Sequence, residues 1–309
     1  MSNLYLKNSF ENTDFQEKLE NFNKHKLISC NTNIAEKYHK MGLSKKGERA
    51  YECGNFLSFK KFLNTQTQET KFIFDSANYC KIRFCPYCQW LKAKKTYLEN
   101  YSILEQLKSD KKKKYEFLFL TLTIKNPSLN ELRATIKKMS KAFELLAKKP
   151  KFKKAIKGFF RGIEFLGDET KSGEAHPHFH TLLIVEKNYF TSRDYISKEE
   201  WQEMWKSCLK SEYDPILDIR KIRAKKGYED IFIAVLETAK YSISPVSLIN
   251  LSLQDFAELE KQTQNIRQYN RGGLFKTIKP KELEKIDEKV WQLLTIEFFK
   301  WSKNHYEKY

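Results

Sequence analysis

The chain has no apolar run long enough to cross a bilayer. Its longest, such as Phe117 to Leu120, fall far short of the roughly 20 residues a spanning helix needs. Residues 1 to 18 are polar and mix acids with bases, with no apolar core of a secretory signal, so a cytoplasmic protein is expected. In that compartment the six cysteines are expected as thiols or metal ligands, not disulfides. Internal repeats and low-complexity segments are also missing. Acid is in deficit: 39 Asp and Glu face 57 Lys and Arg, leaving a net charge of +18. A field of that sign gathers polyphosphate and says nothing about fold. No basic run is followed by an apolar helix face, which argues against a membrane surface as the partner.

The positive charge is clustered at Lys111 to Lys114, at Lys148 to Lys157 and at Arg220 to Lys226. One such run would be read as a solvated helix face; three around one region point to DNA or RNA. With 40% hydrophobic residues and 23 Phe there is material for one large catalytic domain with smaller appendages. Residues 1–50 read as polar helix and Trp90 to Lys108 as a further helix. The run Tyr115 to Ile124 is the best strand, ended by Asn126-Pro127. Leu132, Ile136, Met139, Phe143 and Leu146 give Leu129 to Lys149 helical periodicity. Strands are expected at Gly158 to Leu166, at His176 to Val185 and at Ile216 to Ile222, with helices at Ile196 to Lys210 and Tyr228 to Tyr241. From Asn250 onward helices should alternate with a basic turn, Arg271-Gly272-Gly273. The order β-α-β-β-α-β-α with hairpin neighbours gives the fold class α+β, an antiparallel sheet with helices on one face.

Histidine is scarce, and three of the six lie in His176-Pro177-His178-Phe179-His180. On a strand, His178 and His180 share one face while Phe179 turns to the core. Two adjacent imidazoles make a ready chelate for a divalent metal. A carboxylate beside them suits Mg²⁺ or Mn²⁺, and Glu164, a lone acid in the apolar strand Ile163-Glu164-Phe165, is the candidate third ligand. His176 is its rival, two residues upstream of the pair.

Four cysteines follow the spacing Cys53-x26-Cys80-x4-Cys85-x2-Cys88. A Cys-x2-Cys knuckle holding Pro86 and Tyr87, with two further thiolates, fits a closed tetrahedral Zn²⁺ site. Phe56 to Phe62 and Lys71 to Phe74 flank a polar turn and read as a hairpin, completing a zinc-ribbon-like module. Cys30 and Cys208 have no partner pattern and read as packed thiols. In Leu236-Glu237-Thr238-Ala239-Lys240-Tyr241, Glu237 and Tyr241 are four apart and so stack on one helix face. A tyrosine hydroxyl can attack a phosphodiester if a metal polarises the phosphate, and a carboxylate nearby can act as base.

Phe119-Leu120-Thr121-Leu122-Thr123, His176-Pro177-His178-Phe179-His180 and Glu237-x3-Tyr241, in this order, resemble the HUH endonucleases. Together with Arg83 to Trp90 they are most similar to the plasmid rolling-circle replication initiators with a single active tyrosine, over roughly residues 50 to 280. The resemblance implies a ferredoxin-like HUH core that nicks one strand at a plasmid's double-strand origin. The partner DNA would be supercoiled duplex with a hairpin, single-stranded at the nick, and a host helicase and replication machinery would follow. It implies His178 and His180 as metal ligands and Tyr241 as nucleophile, joined to the 5′ phosphate while the 3′ hydroxyl primes synthesis. Glu237 would activate water for the closing cleavage. In place of a lysine often found three residues beyond the tyrosine stands Ser244, and Lys240 is offered for that phosphate contact. Arg220, Arg223 and Lys225 are further candidate DNA contacts. The expected organisation is 1–50 a helical segment, 51–112 the cysteine module, 113–250 the nickase core and 251–309 a helical basic extension. Alternatives are a mobilisation relaxase or HUH transposase, and a non-catalytic zinc-ribbon DNA-binding replication regulator.

Overall fold

The computed structural model describes residues 15–110, 114–167, 170–222, 234–235, 237–281 and 286–309. Strands are β1 Phe56–Asn64, β2 Thr70–Ala77, β3 Tyr115–Thr123, β4 Ile156–Glu164, β5 His178–Glu186, β6 Leu217–Lys221, β7 Tyr269–Gly273, β8 Trp291–Ser302 and β9 His305–Lys308. They form two antiparallel sheets, ordered β6-β3-β5-β4-β7 and β2-β1-β8-β9. The chain divides into two compact units. One comprises Met1–Lys94, Leu248–Leu253 and Glu282–Tyr309; the other comprises Lys95–Ser247 and Gln254–Lys281. Among the described residues no helix is long and apolar enough to cross a membrane.

In the second unit the continuous apolar runs Phe117–Leu120 and Leu182–Val185 become the inner strands β3 and β5, buried throughout. That is the pattern of strands covered on both faces. One face meets the helix Leu132–Lys148, whose buried Leu132, Ile136, Met139, Phe143 and Leu146 recur at three- and four-residue spacing. Phe143 lies edge-on to Phe159 and Phe179, at 5.0 and 6.1 Å between centroids. The helix Lys198–Leu209 starts in a capping box, in which the Glu200 N–H donates to the Ser197 hydroxyl and the Ser197 N–H to the Glu200 carboxylate. Its Trp205 Nε1 donates to the Thr123 carbonyl, 2.9 Å.

The sheet carries helical backbone on its other face too, where the sequence pointed to helices on one face only. Gly162 is the cause: a Cβ there would run into the Thr238 carbonyl oxygen, so its absence lets the residue 237–241 backbone lie directly on β4. Arg271-Gly272-Gly273, read as a turn, belongs to the edge strand β7 paired with β4. A side chain at Gly272 would strike the Phe159 ring, so glycine here serves close strand packing.

In the first unit the helix Phe15–Asn31 crosses the small sheet. Phe22 lies 5.6 Å from Phe59, 4.9 Å from Phe74 and 4.9 Å from Trp90. β1 and β2 are the expected hairpin. Helices follow residue 250 at Leu253–Thr263 and Leu274–Thr277, but the terminal segment 291–308 is strand where helix was expected. Its Thr295-Ile296-Glu297-Phe298-Phe299 is β-branched and aromatic, and β8 finds a hydrogen-bonding partner in β1 that local sequence cannot reveal.

Candidate metal centres and active site

Two clusters of metal-ligating side chains stand out among the described residues: Cys53, Cys80, Cys85 and Cys88, and Glu164, His178 and His180.

The cysteine cluster is assembled from three places in the first unit. Cys53 follows the helix Ser44–Glu52, Cys80 follows β2, and Cys85 and Cys88 flank the start of the helix Pro86–Ser109. The sulfurs of Cys53 and Cys88 are 3.5 Å apart, those of Cys80 and Cys88 3.6 Å, and those of Cys85 and Cys53 3.6 Å. Four thiolates at ~2.3 Å from a tetrahedral zinc would be spaced ~3.8 Å, so this donor set fits the ion with little movement. Backbone N–H groups of Cys80 and Ile82 point at the sulfurs of Cys53 and Cys80. Cations hold the ligand carbonyls: Lys26 Nζ donates to Cys53 O at 2.7 Å, and Arg49 to Cys80 O. Hydrogen bonds from Cys53, Cys80 and Cys88 push the Cys85 thiol well down, while Cys53 is pushed up by its bonds to the other three. Four adjacent sulfurs cannot all ionise without a cation between them.

The second cluster forms on β4 and β5. The register sets Glu164 opposite His178 and Gly162 opposite His180, so both imidazoles and the carboxylate share one face, with Phe179 buried on the other. The two imidazole rings are perpendicular at 4.6 Å between centroids. Glu164 Oε2 lies 3.0 Å from His178 Nε2 and 3.2 Å from His180 Nε2. Neighbouring ligands of an octahedral ion at ~2.1 Å are ~3.0 Å apart, so these atoms fit a small divalent cation. The outer partners orient the rings. His178 Nδ1 donates to the His176 carbonyl at 3.0 Å, since a carbonyl can only accept, and this turns Nε2 toward Glu164. His180 Nδ1 is 3.4 Å from the Thr121 hydroxyl on β3. His176 is not in the cluster; its Nδ1 pairs with Asn126 Oδ1 at 2.6 Å.

Burial alone would raise the Glu164 carboxyl, but hydrogen bonds from His178 and His180 and the charge of Lys240 hold it well below the usual carboxylate range. Burial lowers His180, favouring the neutral imidazole that a metal requires. Lys240 Nζ is 2.9 Å from Glu164 Oε2 and 3.4 Å from Glu237 Oε2. Burial would lower its ammonium, but the charges of Glu164 and Glu237 outweigh it and hold it above its ordinary value.

Tyr241 follows directly. The Thr238 carbonyl abuts Gly162, the Tyr269 hydroxyl donates to the Ala239 carbonyl at 2.7 Å, and Phe165 N donates to the Ser242 carbonyl at 2.9 Å. Glu237 lies in the helical turn, Lys240 is a bend and Tyr241 lies past the turn, so the helix expected to run through Tyr241 ends before it. Arg220, on the edge strand β6, stacks over Phe119 at 5.2 Å, and Phe119 stacks on His180 at 5.5 Å. Arg223 and Lys225 lie outside the described residues. Sequence reading missed Gly162 and Thr121 as parts of the site. An isolated glycine within a strand pattern was the available signal for the first; the second needed the β3–β5 register.

A family model described as "Replication protein" matches residues 71–305. "Protein rep" of Streptococcus pneumoniae serotype 2 (strain D39 / NCTC 7466) is 35% identical over 235 residues, covering 75% of this chain and 70% of the relative. "Protein rep" of Bacillus amyloliquefaciens is 34% identical over 274 residues, 82% and 77% of the two chains. A Staphylococcus aureus "Protein rep" is 38% identical over 192 residues, 62% and 79%. No solved structure matches. The chain thus belongs to the replication protein family and is a Rep initiator of rolling-circle plasmid replication.

Proposed function

We propose that the chain starts replication as a metal-dependent nickase and strand transferase at the plasmid's double-strand origin. The observation that supports this reading is the meeting of His178, His180 and Glu164 on one sheet face, with Lys240, the neighbour of Tyr241, paired to Glu164 and the Thr238 carbonyl packed on Gly162. Mg²⁺ or Mn²⁺ held by these three side chains would supply Lewis-acid polarisation of the scissile phosphate. The Tyr241 hydroxyl gives up its proton to solvent as its oxygen attacks phosphorus, the P–O3′ bond breaks, and the departing 3′ oxygen takes up a proton from solvent. The products are a 5′-phosphotyrosyl link and a free 3′ hydroxyl that primes synthesis. In the closing cleavage Glu237 takes a proton from a water that attacks phosphorus in tyrosine's place; the P–O3′ bond breaks, leaving a 5′ phosphate and a 3′ hydroxyl. Lys240 and Arg220 contact phosphates on the approach to the site, and Arg223 and Lys225 are further candidate DNA contacts.

The cysteine cluster holds Zn²⁺ and stabilises the first unit, which binds origin DNA in supercoiled, hairpin-bearing form ahead of a host helicase and the replication machinery in the cytoplasm. The presence of Glu164, His178, His180, Glu237 and Tyr241 together favours an enzyme over a purely DNA-binding regulator. The test is nicking of supercoiled plasmid carrying the cognate origin, with Mn²⁺ and with EDTA. Relaxation that requires the metal and His178 supports the reading; full nicking in EDTA, or by a His178→Ala/His180→Ala double variant, overturns it.

A further inference from the structure

The Glu164 carboxylate already has a cation. Its Oε2, the atom that both histidines face, is 2.9 Å from Lys240 Nζ. A divalent ion bound by Glu164, His178 and His180 would need that oxygen, so ion and ammonium would meet on one atom, and like charges at that separation repel strongly in a largely buried site. Lys240 has a second acceptor in reach: Glu237 Oε2, 3.4 Å away and three residues earlier on the same turn. The ammonium is therefore strung between the carboxylate of the metal cluster and that of Glu237. It needs only a side-chain rotation to pass from one to the other.

We propose that Lys240 is the resident counter-ion of the metal-free site, and that metal entry transfers it from Glu164 to Glu237. The inference rests on the reading of Glu164, His178 and His180 as metal ligands. It makes Lys240 a competitor of the metal and Glu237 the acceptor that relieves the competition. By linkage, whatever holds Lys240 on the Glu237 side strengthens metal binding, and a DNA phosphate at that position would do so. The order of events follows: the site loads metal poorly while Lys240 rests on Glu164, and loads well once substrate engages the lysine.

The test measures Mn²⁺ affinity of the full-length protein without DNA, from the loss of the free-ion electron paramagnetic resonance signal. Lys240→Met removes the competitor and should tighten Mn²⁺ about tenfold, whereas Lys240→Arg keeps the charge and should stay near wild type. Glu237→Gln leaves the lysine with Glu164 alone and should weaken Mn²⁺ severalfold. The double variant should behave like Lys240→Met. A purely structural role for these side chains predicts that Lys240→Met and Glu237→Gln both weaken binding, and that result overturns the proposal, as does an unchanged affinity for Lys240→Met. If Lys240→Met fails to fold, Lys240→Gln, which keeps a polar side chain, removes the competitor in its place and should likewise tighten Mn²⁺; unchanged or weakened binding rejects the transfer. His178→Ala separates the levels. If wild type binds Mn²⁺ and His178→Ala does not, the metal site stands whatever the lysine does; if wild type binds none, the metal reading falls and the transfer with it.

Discussion

The two clusters of metal-ligating side chains differ in how completely the protein surrounds them. The cysteine cluster supplies four like ligands, three of them nearly inaccessible, with cations and backbone N–H groups filling its outer shell. The second cluster supplies three mixed ligands, each side chain 11–12% exposed, with a lysine and a glutamate at its border. A closed tetrahedral shell leaves no position for substrate, so an ion there can only stabilise structure. Three ligands leave positions open to a phosphate oxygen. On the proposed reading, the number and kind of ligands would separate a metal for folding from a metal for chemistry within one chain.

The largest effect is expected at the open site. Tyr241→Phe should abolish the covalent DNA adduct on gels, while origin affinity in a filter-binding assay stays within about 0.5 kcal/mol of wild type, because only a hydroxyl is removed. Next is His180→Ala. Losing an outer-shell partner typically costs ~10–100-fold in metal affinity, so losing a ligand should cost Mn²⁺ binding more than ~100-fold, read by calorimetry. The closed site should break differently. Cys88→Ser should release the zinc, seen by atomic absorption, and remove the cooperative melting of the first unit, while cleavage of a short single strand continues. If instead Cys88→Ser abolishes cleavage of that strand and leaves melting intact, the assignment of the two roles is reversed.

Glu237→Ala should be milder still, with the first nick at near-normal rate and the hydrolytic release of protein from DNA slowed, visible as accumulating adduct. Acid pH acts on stability and leaves the chemistry of the open site aside. Burial, with the charges of Lys24 and Lys94, lowers His25 to about 3 where it stacks on Trp90. Between that value and the ordinary ~6.5, the unfolded chain holds a proton that the native one does not. Stability present above ~6.5 is therefore lost as pH falls, by at most about 1.4 kcal/mol per unit. His25→Phe keeps the stacking and should flatten this part of the denaturation profile relative to wild type.

Much of the open site could be read from sequence because its ligands announce themselves locally. Alternation fixes the shared face of His178 and His180, and a carboxylate isolated in an apolar strand singles out Glu164. The β1–β2 hairpin and the helix Leu132–Lys148 were legible from turn chemistry and periodicity in the same way. What stayed hidden depends on pairing between distant segments. The addition of β8 and β9 to the small sheet joins residues some 240 positions apart, such as Phe56 and Lys300. The approach of Thr238 to Gly162 and the ion pair of Lys240 with Glu164 also need the fold to be known. Glu237 and Tyr241 were linked by a helical spacing, yet the helix ends before the tyrosine, and the backbone on either side of Tyr241 is held by tertiary hydrogen bonds at Ala239 and Ser242.

The central claim is that Tyr241, beside a metal bound by His178, His180 and Glu164, is the residue that joins DNA. Incubating the protein with Mn²⁺ and an origin oligonucleotide that releases its 3′ fragment on cleavage traps the adduct, and mass spectrometry of the digested protein locates it. The account predicts a single modified peptide, carrying a 5′-phosphorylated nucleotide on Tyr241, absent in EDTA. Attachment at any other residue, or through a 3′ phosphate, would contradict it.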